Sequence, residues 1–143
     1  MDNRRIIDIL DSYFNNLGGY EDNIPCEKNL RLEELNDISD YCFLIKVTNR
    51  LKFSFLGDNI IKAYGDDFFG DDINGLIFPE NNEVSERIRA ASNSRKPVTD
   101  EGEFENSDGV IIKYRQKLYP LTATEGSDTI DYIFGGMRWK SEV

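Results

Sequence analysis

The sequence predicts an α+β domain: a five-stranded antiparallel sheet with short helices and one longer helix on one face, plus an N-terminal amphipathic helix. Three observations predict it. Runs rich in strand formers recur at Tyr41 to Val47, Leu51 to Leu56, Val110 to Tyr119 and Ile130 to Trp139, and Val98 to Glu105, with Phe104 its one large apolar residue, reads as a weaker, more exposed strand. Apolar residues at helical spacing precede the first run and fill the interval between the second and third. Thr48-Asn49-Arg50 is too short for anything but a hairpin, so the first two strands pair antiparallel.

In chain order, Asp2 to Leu17 carries Ile6, Ile9, Leu10, Tyr13, Phe14 and Leu17 at spacings of three and four, one stripe on a helix that Gly18-Gly19 ends. The stripe suits either a core helix or a dimer or partner helix outside the sheet. Residues 1–23 are accordingly divided from 24–143 as helix and linker. Tyr20 to Asp40 is mixed and polar, with a short helix expected across Glu33 to Ser39. The run YCFLIKV reads as a central strand. In LKFSFL, Phe53 and Phe55 are expected on one face and Lys52 and Ser54 on the other.

Gly57 stops that strand, and Asp58 or Asn59 is the expected cap of a short helix through Ile60, Ile61, Ala63 and Tyr64, closed by Gly65. Phe68, Phe69, Ile73, Leu76, Ile77 and Phe78 then fall between Asp pairs and glycines, as in a lid of small helices over the sheet. Glu83 to Ser94 is the longer helix, with Val84, Ile88 and Ala91 on one face, and Pro97 blocks its continuation. Val110, Ile112, Tyr114 and Leu118 alternate with Lys113, Arg115 and Lys117, giving a buried and a wetter side, and Pro120 is expected to end the strand. Gly135-Gly136 in the last strand marks a bulge or a close backbone approach.

Composition excludes more than it assigns. The 143 residues suit one domain, and a formal charge of −10 repels phosphate backbones and anionic membrane surfaces, so neither nucleic acid nor membrane is an expected partner. No apolar run reaches the length of a bilayer span, and a cytoplasmic location is expected. Cys26 and Cys42 are expected as plain thiols. The chain has no histidine, which removes Ser-His-Asp and Cys-His nucleophile systems, His-ligated metals and histidine-held haem. No phosphate-cradling glycine loop is present, and no carboxylate pair is singled out for acid/base work, so no catalytic residue is assigned. The acidic run Asp66 to Asp72 lacks the alternating order of a calcium loop and reads as solvated turns. No metal or cofactor is expected.

The order of elements, with FSFLGDNIIKAYG, the step Arg95-Lys96-Pro97-Val98, and YRQKLYPL followed by a polar loop and IDYIFGGM, resembles a PAS domain. The closer resemblance is to the stand-alone single-domain type common in alphaproteobacteria, over roughly Ile24 to Arg138. It implies a PAS-like sheet closed by a lid, and a signalling module that dimerises and acts by contact on a partner such as a two-component histidine kinase. With four residues after Trp139, output is expected to pass through that partner. The alternative is a sensor holding a small hydrophobic or aromatic ligand between sheet and lid. Phe53, Phe55, Ile60, Tyr64, Phe68, Ile88, Tyr114 and Phe134 are the candidate pocket residues, compatible with a ligand and equally with a close-packed core. Flavin-binding PAS relatives that form a covalent adduct need a reactive Cys on a lid helix. Cys42 lies on the first strand instead, so that photochemistry is not expected.

Overall fold

The computed structural model describes residues 4–21, 23–47, 51–67 and 83–142. Its five strands are β1 (Cys42–Val47), β2 (Leu51–Leu56), β3 (Val98–Glu105), β4 (Ile111–Leu121) and β5 (Tyr132–Glu142). They form one sheet in the order β2-β1-β5-β4-β3, with every pairing between them antiparallel. The helices described are α1 (Arg4–Asn16), α2 (Asp58–Tyr64) and α3 (Glu83–Ala91). The expected lid segment from Phe68 to Asn82 lies outside the described residues.

Each face of the sheet has its own core. On the inner face, Phe43, Ile45, Phe53, Ile112, Tyr114 and Met137 pack with Ile60, Ala63 and Tyr64 of α2 and Ile88 and Ala91 of α3. On the outer face, Ile6, Leu10, Tyr13 and Phe14 of α1 cover Cys42, Leu44, Tyr119, Leu121 and Phe134. Of the two roles the stripe on α1 allowed, the structure realises the first. Ile6, Leu10 and Phe14 are buried against their own sheet, while Ile9 and Leu17 stay half-buried. α2 and α3 thus share the inner face, as expected, and α1 covers the outer one. Tyr119 and Asp11 fasten the contact, the hydroxyl donating to Oδ1 at 2.6 Å, and Lys117 Nζ reaches the same oxygen at 2.8 Å.

The adjacent glycines Gly135 and Gly136 serve the two cores separately. A Cβ on Gly135 would run into the ring of Phe43 on the inner face, and one on Gly136 into Leu10 and Ile6 of α1 on the outer. Pairing with β1 and β4 runs through both without a shift, so they mark close approach and not a bulge.

Three local expectations are corrected. Gly57, not Asp58 or Asn59, occupies the cap of α2, because a Cβ there would collide with the carbonyls of Ser39 and Asp40; Asp58 is the first helical residue. The segment expected as one helix over Glu33 to Ser39 is split into 3-10 turns at Leu32–Leu35 and Ser39–Tyr41. Pro120 does not end β4, which continues to Leu121. Pairing with β3 stops at Leu118, and the Pro120 carbonyl turns away from β5 to accept from Tyr20 Oη at 2.9 Å. The missing N–H thus falls on an edge, where no ladder bond is lost.

Candidate functional site

The inner face is a chain of aromatic rings with a polar group at its end. Phe43 meets Phe53 edge-on at 5.9 Å between centroids, Phe53 meets Tyr64 at 5.6 Å, Tyr64 meets Phe104 at 5.4 Å and Phe104 meets Tyr114 at 5.7 Å. Tilted and edge-on pairs at these spacings add to the burial of each ring. The strands supply Phe43, Phe53, Phe104 and Tyr114, and the last turn of α2 supplies Tyr64.

Past Tyr114 the face turns polar. Asp100 of β3 is 8 % exposed, and its Oδ2 accepts from Tyr114 Oη and from Gln116 Nε2, both at 2.9 Å. Arg87 of α3 closes the group: Nη1 lies 3.4 Å from Asp100 Oδ1 and donates to Tyr114 Oη at 3.4 Å and to the Glu101 carbonyl at 3.3 Å. A buried carboxylate is tolerated when paired and hydrogen-bonded, and Asp100 is both. Because Nε2 of Gln116 is committed to Asp100, the other end of the amide is fixed as an acceptor. That oxygen, on a residue 1 % exposed, has no partner among the described residues. A cleft of about 270 Å³ runs between α3 and β3, lined by Arg87, Ala90, Ala91, Val98, Thr99 and Asp100.

The tyrosine hydroxyls of the inner face remain donors well into alkaline solution. Burial raises Tyr64 far above its ordinary value, with Tyr114 and Asp100 adding to the shift. Burial also raises Tyr114, followed by the charge of Asp100 and its hydrogen bond, against which Arg87 works in the other direction.

Of the residues expected to line a pocket, the structure brings Phe53, Ile60, Tyr64, Ile88 and Tyr114 into one inner cluster. Phe68 lies outside the described residues. Phe55 and Phe134 are on the other face, in the cluster with α1. For Phe55 the cause is a β-bulge: Leu44 pairs with Phe55 and Ile45 with Phe53, leaving Ser54 unopposed, its hydroxyl donating to the Leu44 carbonyl at 3.3 Å. The extra residue breaks the two-residue period, so two phenylalanines expected together are separated by the sheet. Phe134 is opposite Tyr119 in the β4–β5 register and packs 5.9 Å from Phe14 of α1.

Sequence reasoning missed Arg87, Asp100 and Gln116. A signal for two of them was present. Gln116 stands at the gap in the alternation Ile112, Tyr114, Leu118, and Asp100 is in phase with Phe104, so both are polar residues at core-facing positions. Arg87, exposed on a helix, carries no such mark.

Both cysteines are free and buried. Cys42 faces α1, its thiol donating to the Ile38 carbonyl at 3.3 Å, and burial with some help from Asp40 pushes it up to about 12. Cys26 forms a single bridge with Thr122. Among the described residues no group of three His, Cys, Asp or Glu side chains is placed to hold a metal ion, and no helix is long and apolar enough to cross a membrane.

No protein-family model matches this chain, and no curated protein sequence matches it. Solved structures do. A light-oxygen-voltage domain studied with a flavin analogue is 14 % identical over 78 % of this chain and 84 % of its own, with a TM-score of 0.61. The dark-state LOV domain of the photoreceptor Aureochrome1 is 15 % identical over 78 % and 83 %, with a TM-score of 0.58. The LOV domain of the blue-light activated histidine kinase of Erythrobacter litoralis is 12 % identical over 71 % and 95 %, with a TM-score of 0.56. At these identities the likeness is one of architecture, and the five-stranded antiparallel sheet with its helices has the fold of a PAS domain.

Proposed function

We propose that this chain is a non-enzymatic PAS-fold sensor that takes a small, largely apolar ligand on the inner face and passes its occupancy to a signalling partner such as a histidine kinase. The observation that carries this reading is Gln116 Oε1, a buried acceptor held in orientation by Asp100 and without a donor among the described residues. An unsatisfied buried acceptor costs roughly 1–3 kcal/mol, which a ligand N–H or O–H would recover. The surrounding surface is aromatic and aliphatic, as in pockets that use few polar anchors for orientation. The likeness to photosensory domains supports a sensing role, and the missing histidine supports a non-enzymatic one.

Flavin is the group that likeness suggests, and its adduct-forming mode does not fit this chain. The protein has two cysteines. Cys42 lies across the sheet from the ring chain, and Cys26 is held against Thr122, so neither belongs to the inner cluster. The ligand expected instead is an aromatic or aliphatic molecule with one donor group, bound without a covalent bond to sulfur.

Native mass spectrometry of the chain purified from its own host tests the reading. The expected result is a stoichiometric non-covalent adduct that is lost in Gln116→Met, a change that keeps side-chain length and removes the acceptor. A second reading, a partner-binding module with a filled core, is favoured by the continuous ring contacts from Phe43 to Tyr114. A wild-type chain that emerges without bound mass, and binds no added flavin mononucleotide, would replace the sensor with this module.

A further inference from the structure

The cleft between α3 and β3 is bridged by a side chain seated in a notch of the strand. Arg87 leaves α3 where the helix carries Ile88 and Ala91 into the inner core, and its guanidinium lies over the backbone of β3 at Gly102. A Cβ at Gly102 would stand 2.9 Å from Arg87 Nη1 and 3.4 Å from Tyr114 Oη, so the missing side chain is what admits the guanidinium. Gly102 has no positive φ, and glycine there serves close approach and not backbone freedom. Nη1 donates to the Glu101 carbonyl at 3.3 Å and to Tyr114 Oη at 3.4 Å, and lies 3.4 Å from Asp100 Oδ1. Strong charge-assisted bonds are shorter, at about 2.7–2.9 Å. The Arg87 side chain is also 43 % exposed, so water competes for each of these contacts. By contrast, the bonds from Tyr114 and Gln116 to Asp100 Oδ2 are both 2.9 Å and buried. Arg87 is thus a loose clasp laid over a firm polar group.

We infer that this cleft is the ligand's way in and out of the inner face, with Arg87 as its gate. The inference rests on the sensor reading, which requires a route: Ile88, Ala91, Tyr114 and Gln116 are all buried, so a ligand cannot reach the acceptor while the surface stays closed. Asp100 belongs to both places. It lines the cleft and accepts from Gln116 Nε2, so a single hydrogen bond joins the cleft wall to the amide that offers the acceptor. Opening exchanges the long contacts of Arg87 for contacts with water, which costs little at a half-exposed side chain. The bonds to Asp100 Oδ2 survive that exchange, so the gate moves without disturbing the group that orients Gln116.

Cysteine labelling tests the gate without a ligand. Ala91, 1 % exposed and on the cleft wall, is replaced by Cys, and its alkylation by iodoacetamide is followed by peptide mass spectrometry. Cys42, buried against α1 on the other face, is the internal reference for global unfolding. Into this background Gly102→Ala is introduced, which pushes the guanidinium from its notch and keeps its charge, and separately Arg87→Gln, which removes the charge. Each is expected to speed labelling at position 91 by about tenfold and to leave Cys42 at its original rate. If Ala91→Cys does not fold, Val98→Cys, half-buried on the same cleft, makes the comparison. Native mass spectrometry during dialysis adds a second measurement: the co-purified adduct is expected to leave Gly102→Ala about tenfold faster than wild type. Unchanged labelling at position 91, a Cys42 rate that rises in step with it, or an adduct that leaves both chains at one rate would each overturn the gate. Failure of the sensor reading is a separate result, a wild-type chain purified without bound mass.

Discussion

Gly135 and Gly136 are adjacent in one strand yet answer to different cores, and substituting each by alanine separates the two. At Gly135 the new Cβ would lie inside contact distance of three ring carbons of Phe43, the farthest of them, Cε2, at 2.7 Å. The ring must retreat by more than roughly 0.8 Å to reach ordinary carbon contact. It has little room, since Phe53 abuts it edge-on and Phe43 is fully buried. Overpacking of that kind costs about 3 kcal/mol, and the entropy removed from the unfolded chain at a residue without positive φ returns about 0.7 kcal/mol. Gly135→Ala is thus expected to lose about 2 kcal/mol, or roughly 8 °C in melting temperature. At Gly136 the nearest obstacle is a terminal methyl of Leu10, with Ile6 Cγ2 at 3.2 Å. A rotamer change costs about 1 kcal/mol and the same entropy offsets most of it, so Gly136→Ala is expected near neutral. Urea unfolding followed by the single tryptophan, Trp139, whose Nε1 donates to Asn59 at the start of α2, reads both. Phe43→Leu should recover part of the loss in Gly135→Ala and none in Gly136→Ala. Equal losses at the two glycines, or no recovery by Phe43→Leu, would refute the assignment of each glycine to its face.

Replacing Asp100 by Ala leaves the Tyr114 hydroxyl and the Gln116 amide without their acceptor, and a loss of about 3 kcal/mol is expected by equilibrium unfolding, against a smaller one for Asp100→Asn. Tyr119→Phe removes the 2.6 Å bond to Asp11; hydrogen exchange should accelerate in α1 by about tenfold while β1 and β5 keep their protection. Cys42 adds a pH term whose sign is fixed. Its folded value of about 12 lies above the ordinary 9.0, so between them the unfolded state has released a proton that the folded state retains. Stability therefore falls as pH rises through that window, by about 1.4 kcal/mol per unit from this group. Urea midpoints measured across it should decline less steeply in Cys42→Ala.

Strands β2 and β4 were legible from alternation and β1 and β5 from their density of strand formers, and the positions where reading failed are those where alternation was interrupted or absent. Ser54 is the unopposed residue of a bulge, and nothing in LKFSFL distinguishes it from a regular solvent-facing serine, so Phe55 was assigned to the wrong face. IDYIFGGM is nearly continuous in apolar residues because β5 is covered on both sides, and a strand buried on both faces does not say which side chain faces which core. Phe134 was misassigned for that reason. The stripe on α1 was unmistakable as a helix, but its target is fixed by long-range packing against Gly136, which local spacing does not encode. Gln116 and Asp100 were legible in principle as breaks in a buried period. A polar residue at a core position is informative, and here it marked the end of the ring chain.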